Sequence, residues 1–202
     1  AEAALGRMMD VRGLRCTVFG LGESGQATVA LLARRGAVVQ AADQRPLEAN
    51  PKAAEGLEQC RARFVLQGPE ALEDTDLAIL SPGVPPELPL FDHARAAGIP
   101  LIGDVEFASR FLRGRVLAIT GSNGKTTTTA LCGHLLKAAG LPVIVGGNIG
   151  VPLAAFAEAT RDDTWTVLEL SSFQTQMLTS MRIHLGVALN VTPDHLDRHG
   201  TF

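Results

Sequence analysis

The sequence predicts an α/β protein with two parallel-sheet domains, one over residues 1–113 and one over residues 114–202. Short apolar runs alternate with segments of helical spacing along most of the chain. Glycine-rich turns follow two of these runs, at residues 20–25 and 121–124. Arg113-Gly114 separates the two sets of alternating segments and is the candidate interdomain joint.

Composition narrows the class of protein. A chain of 202 residues is long enough for one large domain or two small ones, and 46% hydrophobic with 19% charged residues is typical of a globular protein. A net charge of −3 without a basic stripe argues against nucleic acid as a partner. No apolar run reaches the length of a membrane span. The three scattered cysteines lack Cys-x-x-Cys spacing and indicate buried thiols in a reducing cytoplasm.

The first βαβ unit carries a phosphate-type loop. Residues 16–19 form a β-type run, 20–25 read Gly-x-Gly-x-x-Gly, 26–35 have helical spacing, and 37–42 form a second strand that ends in Asp43. This arrangement predicts a Rossmann-like fold with an acidic residue beyond the second strand. The motif specifies close approach of backbone to phosphate, and it does not specify the base attached to that phosphate.

The alternation continues to the joint. Helical patterns cover residues 54–60, 90–97 and 103–112, and extended patterns cover 63–66, 76–80 and 100–102. The turn Ser81–Pro86 follows the carboxyl end of a predicted strand. Ligands of open α/β sheets bind at such ends, so this turn is a candidate ligand contact.

The second glycine-rich turn predicts a site for nucleotide phosphates. Strand residues 115–118 lead into Gly121 and Gly124, and a helix follows to about Gly140. The glycines let backbone N–H groups point inward, Lys125 can reach the outer phosphates, and the Thr126 hydroxyl suits Mg²⁺. The predicted contacts are Gly121, Ser122, Asn123, Gly124, Lys125, Thr126 and Thr127.

The spacing of this turn departs from the usual P-loop, because its first glycine precedes Gly-Lys by only two residues. A plain strand-to-helix turn with a solvated lysine is the alternative. The chain has only three lysines, which favours a purpose for the one between Gly124 and Thr126.

Later segments add candidate ligands. Residues 142–145 predict a strand, and Gly146–Gly150 predicts non-strand backbone, either near a ligand or in a tight turn. Glu169 ends the strand run 165–170, where a carboxylate can hold Mg²⁺ opposite Thr126 or face solvent. Residues 173–181 predict a helix and 185–189 a strand. His195 and His199 have zinc-type spacing but lack a third ligand, so a phosphate-facing loop is the more economical interpretation.

Four stretches together resemble the Mur ligases, the cytoplasmic bacterial enzymes of peptidoglycan precursor synthesis. They are residues 120–126, 146–150, 168–174 and 189–197, and the run Leu-Glu-Leu-Ser-Ser-Phe-Gln at 168–174 favours the family member that adds D-glutamate. The resemblance extends over the whole chain and over less than half of such an enzyme. It implies an ATP-dependent amide ligase that uses Mg²⁺ and joins D-glutamate to UDP-N-acetylmuramoyl-L-alanine through an acyl phosphate. The sequence shows no obvious stripe for self-association, so a monomer is expected.

The resemblance also implies roles for individual residues. Lys125 and the loop backbone would hold ATP, Thr126 and Glu169 a first Mg²⁺, and His195 a second metal ion. Asn148 would contact substrate near the reacting centre. The implied uridine and diphosphate contacts are Gly22, Glu23, Ser24, Asp43, Gln44, Ser81 and Gly83, of which Glu23 and Gln44 depart from the residues common in the family.

By the same resemblance, a carbamylated lysine and a C-terminal domain that grips D-glutamate would lie beyond Phe202. The expectation is therefore that these 202 residues, with a partial central domain, bind ligands without completing ligation.

Three alternatives stay open at this point. An NAD-dependent oxidoreductase would explain residues 20–25 and Asp43, but it leaves Lys125, Glu169 and His195 without a purpose. Another Mur or folylpolyglutamate-type ligase would share the ATP site and lack either the N-terminal unit or the 171–174 run. A non-catalytic module that binds a UDP-sugar is the third alternative, and a turnover assay on a longer chain would separate it from a ligase.

Overall fold

A computed structural model of the chain describes residues 9–201, apart from the side chains of Asp197 and His199. Its first sheet is parallel, with five strands in the order β3-β2-β1-β4-β5. The strands are β1 (Arg15–Phe19), β2 (Val38–Asp43), β3 (Arg63–Leu66), β4 (Leu77–Leu80) and β5 (Leu101–Gly103). This open order places the ends of β1 and β4 side by side, which brings the turns after them together.

Apolar residues cover both faces of the first sheet. In β1, Cys16 and Val18 belong to one buried cluster and Phe19 to another, as the alternation of a strand buried on both faces requires. The helices are α1 (Glu23–Arg34), α2 (Pro51–Cys60), α3 (Leu90–Ala96) and α4 (Asp104–Ser109), with short 3₁₀ turns at Leu47–Ala49 and Pro69–Leu72.

The second sheet is also parallel, with strand order β7-β8-β6-β9 among the described residues. Its strands are β6 (Arg115–Thr120), β7 (Val143–Gly147), β8 (Trp165–Glu169) and β9 (Leu185–Ala188). The accompanying helices are α5 (Lys125–Ala138), α6 (Leu153–Phe156), α7 (Ser172–Gln176) and α8 (Leu196–His199), with a 3₁₀ turn at Ala157–Ala159. These two parallel sheets confirm the predicted α/β fold class.

One hydrophobic cluster joins the two halves of the chain. It contains Leu31 and Leu32 of α1, Phe107 of α4, and Leu153 and Leu168 from the second half, each at most 3% exposed. Helix α1 packs directly against α6. The layers beside the two sheets therefore share buried apolar surface, which is the dominant favourable contribution to folding.

Two expectations about secondary structure are wrong. Strand β7 continues through Gly146 and Gly147, where it pairs with β8. Glycine permits this close pairing, because a Cβ at position 147 would lie 2.3 Å from the carbonyl oxygen of Glu169 on the neighbouring strand. Helix α7 ends at Gln176 and does not reach Met181, because the N–H groups of residues 179–181 donate to the Glu106 carboxylate.

Within residues 9–201, none of the helices combines the length and the apolar character that crossing a bilayer requires.

Candidate nucleotide-binding site

The loop between β6 and α5 has the geometry of a phosphate cradle. Gly121 (φ +140°) and Gly124 (φ +83°) lie in the left-handed region, which glycine adopts without strain. Gly124 is the N-cap of the 14-residue helix α5, and no side chain caps that end. The first N–H groups of α5 therefore remain available, together with the positive end of the helix dipole, for an anion.

Lys125 lies over this loop. Its Nζ donates to the carbonyl oxygens of Gly121 at 2.6 Å and of Ser122 at 3.0 Å. These two bonds hold the ammonium group at the cradle, while the Thr126 and Thr127 side chains on the first turn of α5 are exposed. The sequence-predicted phosphate contacts come together as one contiguous surface.

Two further residues brace the cradle, and the sequence reasoning did not single them out. Asn190 exchanges hydrogen bonds with the backbone of Asn123 at 2.9 and 3.0 Å, and the backbone of Thr192 exchanges two with the Ser122 hydroxyl at 2.9 and 3.1 Å. Both follow β9, which pairs with β6. Their position after a strand next to the predicted loop is the signal that could have identified them.

Glu169 presents a buried oxygen without a partner. It pairs in register with Ile119 of β6, so it lies at the same sheet edge as the glycine-rich loop, and it is 2% exposed. Its Oε1 accepts from the Asn148 amide at 3.3 Å, whereas its Oε2 has no hydrogen-bond partner among the described residues. Burying a carboxylate oxygen unpaired is costly, and a divalent cation would satisfy it.

The donor set fits Mg²⁺ better than zinc. In the described part of the chain, no group of three or more His, Cys, Asp or Glu side chains is arranged around a common point. An ion at Glu169 would therefore complete its shell with hydroxyl, phosphate and water oxygens, which Mg²⁺ prefers. The zinc-type spacing of His195 and His199 involves the His199 side chain, which lies outside the part of the chain that the structure describes.

His195 follows β9 as the N-cap of α8, with φ +49°. Its ring lies 5.1 Å from the ring of Phe173, four residues after Glu169 in sequence, and its side chain is about half exposed. The Asp194 carboxylate is 3.8 Å from His195 Nε2. The imidazole is therefore placed on the α7 side of the site and remains accessible to a ligand.

The N-terminal loop at residues 20–25 uses its glycines differently. A Cβ on Gly25 would lie 1.8 Å from the carbonyl oxygen of Gly20, so Gly25 is required for close packing of α1 against the loop. A Cβ on Gly22 would meet no atom within 4 Å. Gly22 is exposed, which leaves space in front of the loop for a ligand.

Asp43 and Ser81 hold this loop in place. The Asp43 carboxylate accepts from the N–H groups of Leu21 at 2.8 Å and Arg45 at 3.0 Å, and the Ser81 hydroxyl donates to the Gly20 carbonyl at 2.9 Å. The remaining predicted contacts differ in exposure: Gly22, Glu23, Gln44 and Gly83 are exposed, and Ser24 is half-buried. The structure brings Ser81 and Asp43 to the loop from two different strands.

Asp104 is an additional acid beside this loop. It is 4% exposed and accepts a hydrogen bond from the Ser24 hydroxyl. Burial raises the pKa of Asp104 to about 6, although hydrogen bonds from Ser24 and from the Val105 N–H oppose the shift. Asp104 is not among the residues predicted from the sequence, since it belongs to α4 and not to either glycine-rich turn.

Profiles of known families match both halves of the chain. The profile of the Mur ligase MurD-like N-terminal domain matches residues 14–103, and that of the Mur ligase middle domain matches residues 119–202.

Curated relatives match the chain almost from end to end. The UDP-N-acetylmuramoylalanine--D-glutamate ligase of Solibacter usitatus is 52% identical, and that of Koribacter versatilis is 48% identical, each over 96% of this chain. In both cases the match covers 43% of the relative. The chain thus spans less than half the length of these relatives.

Solved structures with the same fold include two ligases. UDP-N-acetylmuramate-alanine ligase from Thermotoga maritima superposes over 93% of this chain and 43% of its own, with a TM-score of 0.55 and 22% identity. The UDP-N-acetylmuramate:L-alanyl-gamma-D-glutamyl-meso-diaminopimelate ligase from Neisseria meningitides covers 92% of this chain and 63% of its own, with a TM-score of 0.58 and 18% identity. At these identities the likeness concerns the fold. With both family profiles matched in order and relatives about 50% identical, the chain belongs to the Mur ligase family.

Proposed function

We propose that this chain serves an ATP-dependent ligase that joins D-glutamate to UDP-N-acetylmuramoyl-L-alanine in the bacterial cytoplasm. The observation that carries the proposal is the unpartnered, buried Oε2 of Glu169 at the same sheet edge as the Gly121–Lys125 cradle. A phosphate cradle beside an acid that needs a cation suits Mg²⁺-nucleotide chemistry. The names of the Solibacter and Koribacter relatives supply the two substrates.

The two halves divide the work in this proposal. Residues 1–113 hold the UDP part of the substrate at the Gly20–Gly25 loop, and residues 114–202 contribute to the ATP site. Support for this division comes from the open space in front of Gly22 and from the uncapped start of α5. Ser24, Ser81, Gly83 and Gln44 lie on or beside the turns that would face the uridine diphosphate, while Asp43 braces the loop from behind.

The proposed chemistry proceeds in two steps. The carboxylate of the muramoyl-alanine substrate attacks the γ-phosphorus of ATP, which breaks the bond to the β-phosphate oxygen and yields an acyl phosphate and ADP. The neutral amine of D-glutamate then attacks the acyl carbon and the bond to the phosphate oxygen breaks. The amide forms as the nitrogen loses a proton, which leaves with the phosphate as hydrogen phosphate. Lys125 and the loop N–H groups orient the phosphates and offset their charge, which is where phosphoryl transfer is accelerated.

Metal ions would be held by groups already in place. Thr126 Oγ1 and Glu169 Oε2 would bind one Mg²⁺, and His195 would contribute to a second site. Mg²⁺ supplies charge neutralisation at the transferred phosphoryl group. Asn148, whose amide contacts Glu169 Oε1 at 3.3 Å, would orient that carboxylate and meet the substrate beside it.

Calorimetric titration of this chain tests the N-terminal half. UDP-N-acetylmuramoyl-L-alanine should bind saturably, and NAD⁺ should not. Gly22→Ala should weaken that binding at least about tenfold, because its Cβ would enter the space of the diphosphate while meeting no protein atom. Binding of NAD⁺ alone would overturn the proposal in favour of a dehydrogenase.

The ATP half is tested with a fluorescent ATP analogue and Mg²⁺. Lys125→Met removes the ammonium group from the cradle and should weaken binding at least about tenfold. Glu169→Gln should leave weak binding that no longer responds to Mg²⁺. Lys137→Met, the same change in the last turn of α5, is the matched control and should bind like the parent chain.

A further inference from the structure

Arg198 connects the two nucleotide sites through contacts on both sides. Its guanidinium donates to the carbonyl oxygens of Pro82 at 2.7 Å and Val84 at 3.4 Å, in the turn after β4. The same guanidinium lies 4.0 Å from the centre of the Phe173 ring, on α7 of the second half. One side chain therefore touches the N-terminal turn and the aromatic residue next to the proposed metal site.

Each of these contacts leads directly to a proposed ligand position. Pro82 lies between Ser81 and Gly83, and Ser81 itself binds the Gly20 carbonyl of the N-terminal loop. On the other side, the Phe173 ring also contacts the His195 ring at 5.1 Å. Arg198 and His195 thus lie against the same ring, and the path from the N-terminal loop to His195 is a continuous series of contacts.

The side chain is suited to this position. A guanidinium is planar and has five N–H donors, so it can stack on an aromatic face while it donates in its own plane to two carbonyl oxygens. It also lines a small space between the halves, together with Ser81, Asp104, Phe173 and Gln174. Lysine could donate to Pro82 but could not stack in the same way.

We propose that Arg198 is a positioning residue of the ligation reaction: it fixes the Ser81–Val84 turn relative to Phe173 and His195, so that occupation of the N-terminal site reorients His195. The inference rests on the proposed function, because it takes the Gly20–Gly25 loop as the site of the UDP group. A residue with this role makes the two sites energetically dependent on each other, and such dependence is reciprocal.

The test uses this chain with UDP as the probe and two-dimensional NMR of the histidine rings, with His195 assigned by its loss in His195→Gln. In the parent chain, saturating UDP should shift the His195 ring signals as well as the Gly22 amide. Arg198→Met keeps an apolar stem against Phe173 and removes every donor. It should remove most of the His195 shift, because the contacts that join the Ser81–Val84 turn to Phe173 are lost.

Two further variants separate positioning from folding. Arg198→Lys retains the charge and an ammonium group that can donate to Pro82, and it should restore part of the His195 shift. Arg182→Met, the same change at an exposed arginine, should behave like the parent chain. An Arg198→Met chain that shows dispersed amide signals and still binds UDP, but leaves His195 unmoved, supports the inference.

The contrary outcomes are distinct. If UDP shifts the Gly22 amide in the parent chain while His195 stays unmoved, or if Arg198→Met transmits the shift fully, the positioning role is wrong and the proposed function stands. If UDP shifts neither signal in the parent chain, the proposed N-terminal site is wrong and the inference falls with it.

Discussion

Two acids on helix α4 show how strongly the surroundings of a carboxyl group determine its pKa. Asp104 and Glu106 are two positions apart and both are buried. Burial raises the pKa of Asp104 to about 6, because one hydroxyl and one backbone N–H are its main compensation. Burial also opposes ionisation of Glu106, but hydrogen bonds from Ser180 and Thr179 and the charge of Arg110 outweigh it and lower its pKa. Asp104 is thus the more readily protonated of the two acids.

The first prediction concerns Asp104. Its pKa is about 6 in the folded chain, against 3.8 as the ordinary value of an aspartate side chain, so the folded state binds more protons than the unfolded state between pH 4 and pH 6. Stability contributed by the neutral form is therefore present below about pH 4 and is lost as pH rises through 6. Asp104→Asn should stabilise the chain by about 1–3 kcal/mol at pH 7.5 and by much less at pH 4.5.

Urea denaturation of the parent chain and of Asp104→Asn at pH 4.5 and pH 7.5 measures the difference in their free energies of unfolding. The contributions of other titrating groups cancel in this comparison. Ser24→Ala is a useful companion, since it removes the hydroxyl that donates to Asp104 and should raise the pKa further. An equal stability difference at pH 4.5 and pH 7.5 would show that Asp104 does not titrate in this window.

Single residues differ in how well the sequence reveals them. Gly121, Gly124 and Lys125 are contiguous, and their chemistry can be read without the fold. The Ser24–Asp104 contact joins positions 80 apart, and the Arg198–Pro82 contact joins positions 116 apart. No local pattern marks such partners, because only the packing of α1 against α4, and of α8 against the turn after β4, brings them together.

At the scale of elements, α4 is the helix that holds the two halves in register. The Glu106 carboxylate accepts from the N–H groups of residues 179, 180 and 181 and from the Ser180 hydroxyl, at distances from 2.6 to 3.3 Å. Its ion pair with Arg110 is at 2.5 Å, and both side chains are buried. These bonds stop α7 and direct the chain toward β9, which leads to His195.

The second prediction concerns Glu106. Glu106→Gln removes the charge and turns one acceptor into a donor that would face backbone N–H groups, leaving Arg110 buried without its counter-ion. We expect a loss of about 3–5 kcal/mol in the free energy of unfolding, the usual cost of breaking a buried charge pair. Because the folded-state pKa of Glu106 is lowered, its contribution to stability is present above the unfolded-state pKa and is lost as pH falls through the folded-state pKa.

Glu158→Gln is the matched control for this measurement. Glu158 also joins the two halves, through ion pairs with Arg34 and Arg35 at 2.9 and 2.7 Å, but these side chains are all partly exposed. Its loss should cost no more than about 1 kcal/mol, since exposed ion pairs contribute little. If urea denaturation gave the two substitutions equal losses in the free energy of unfolding, burial would not account for the stabilisation by the Glu106 network.

Helices and strands were predicted correctly where the apolar periodicity is strong. Their ends were predicted wrongly where a contact with a residue distant in sequence determines the end. The strand runs of β1, β4 and β8 appear in the sequence as apolar stretches that end near the observed residues. In β7 the glycines suggested a break, although they are the residues that let β7 approach Glu169. The end of α7 depends on Glu106, which lies about 70 positions earlier and gives no signal within the helix itself.

At the scale of the whole molecule, the two sheets are joined by a common core. Leu31 and Leu32 of α1 share a buried cluster with Leu153 and Ala157 of the second half, while the cluster around Leu117 contains residues of the second half alone. A large apolar contact between sheets makes independent domain motion less favourable than it is across a small polar interface. We therefore expect residues 9–201 to unfold as one cooperative unit.

The last prediction tests that expectation with Leu153→Ala. Leu153 is 3% exposed on α6, so its truncation should cost about 2–5 kcal/mol. If the chain is one unit, amide hydrogen exchange should accelerate by the same factor in β1 and in β8, although Leu153 belongs to the second half of the sequence. Leu135→Ala, the same change at a residue 57% exposed on α5, should leave both rates almost unchanged.

Faster exchange in β8 with no change in β1 would show two separately stable units, with the shared cluster acting only as a contact surface. The distinction bears on how the sites could communicate. In a single unit, the turn after β4 and the residues after β9 keep a fixed relation, and a side chain such as Arg198 can transmit a small displacement between them. In two loosely joined units, the Arg198–Pro82 contact would break before it could transmit a displacement from the turn after β4 to the residues after β9.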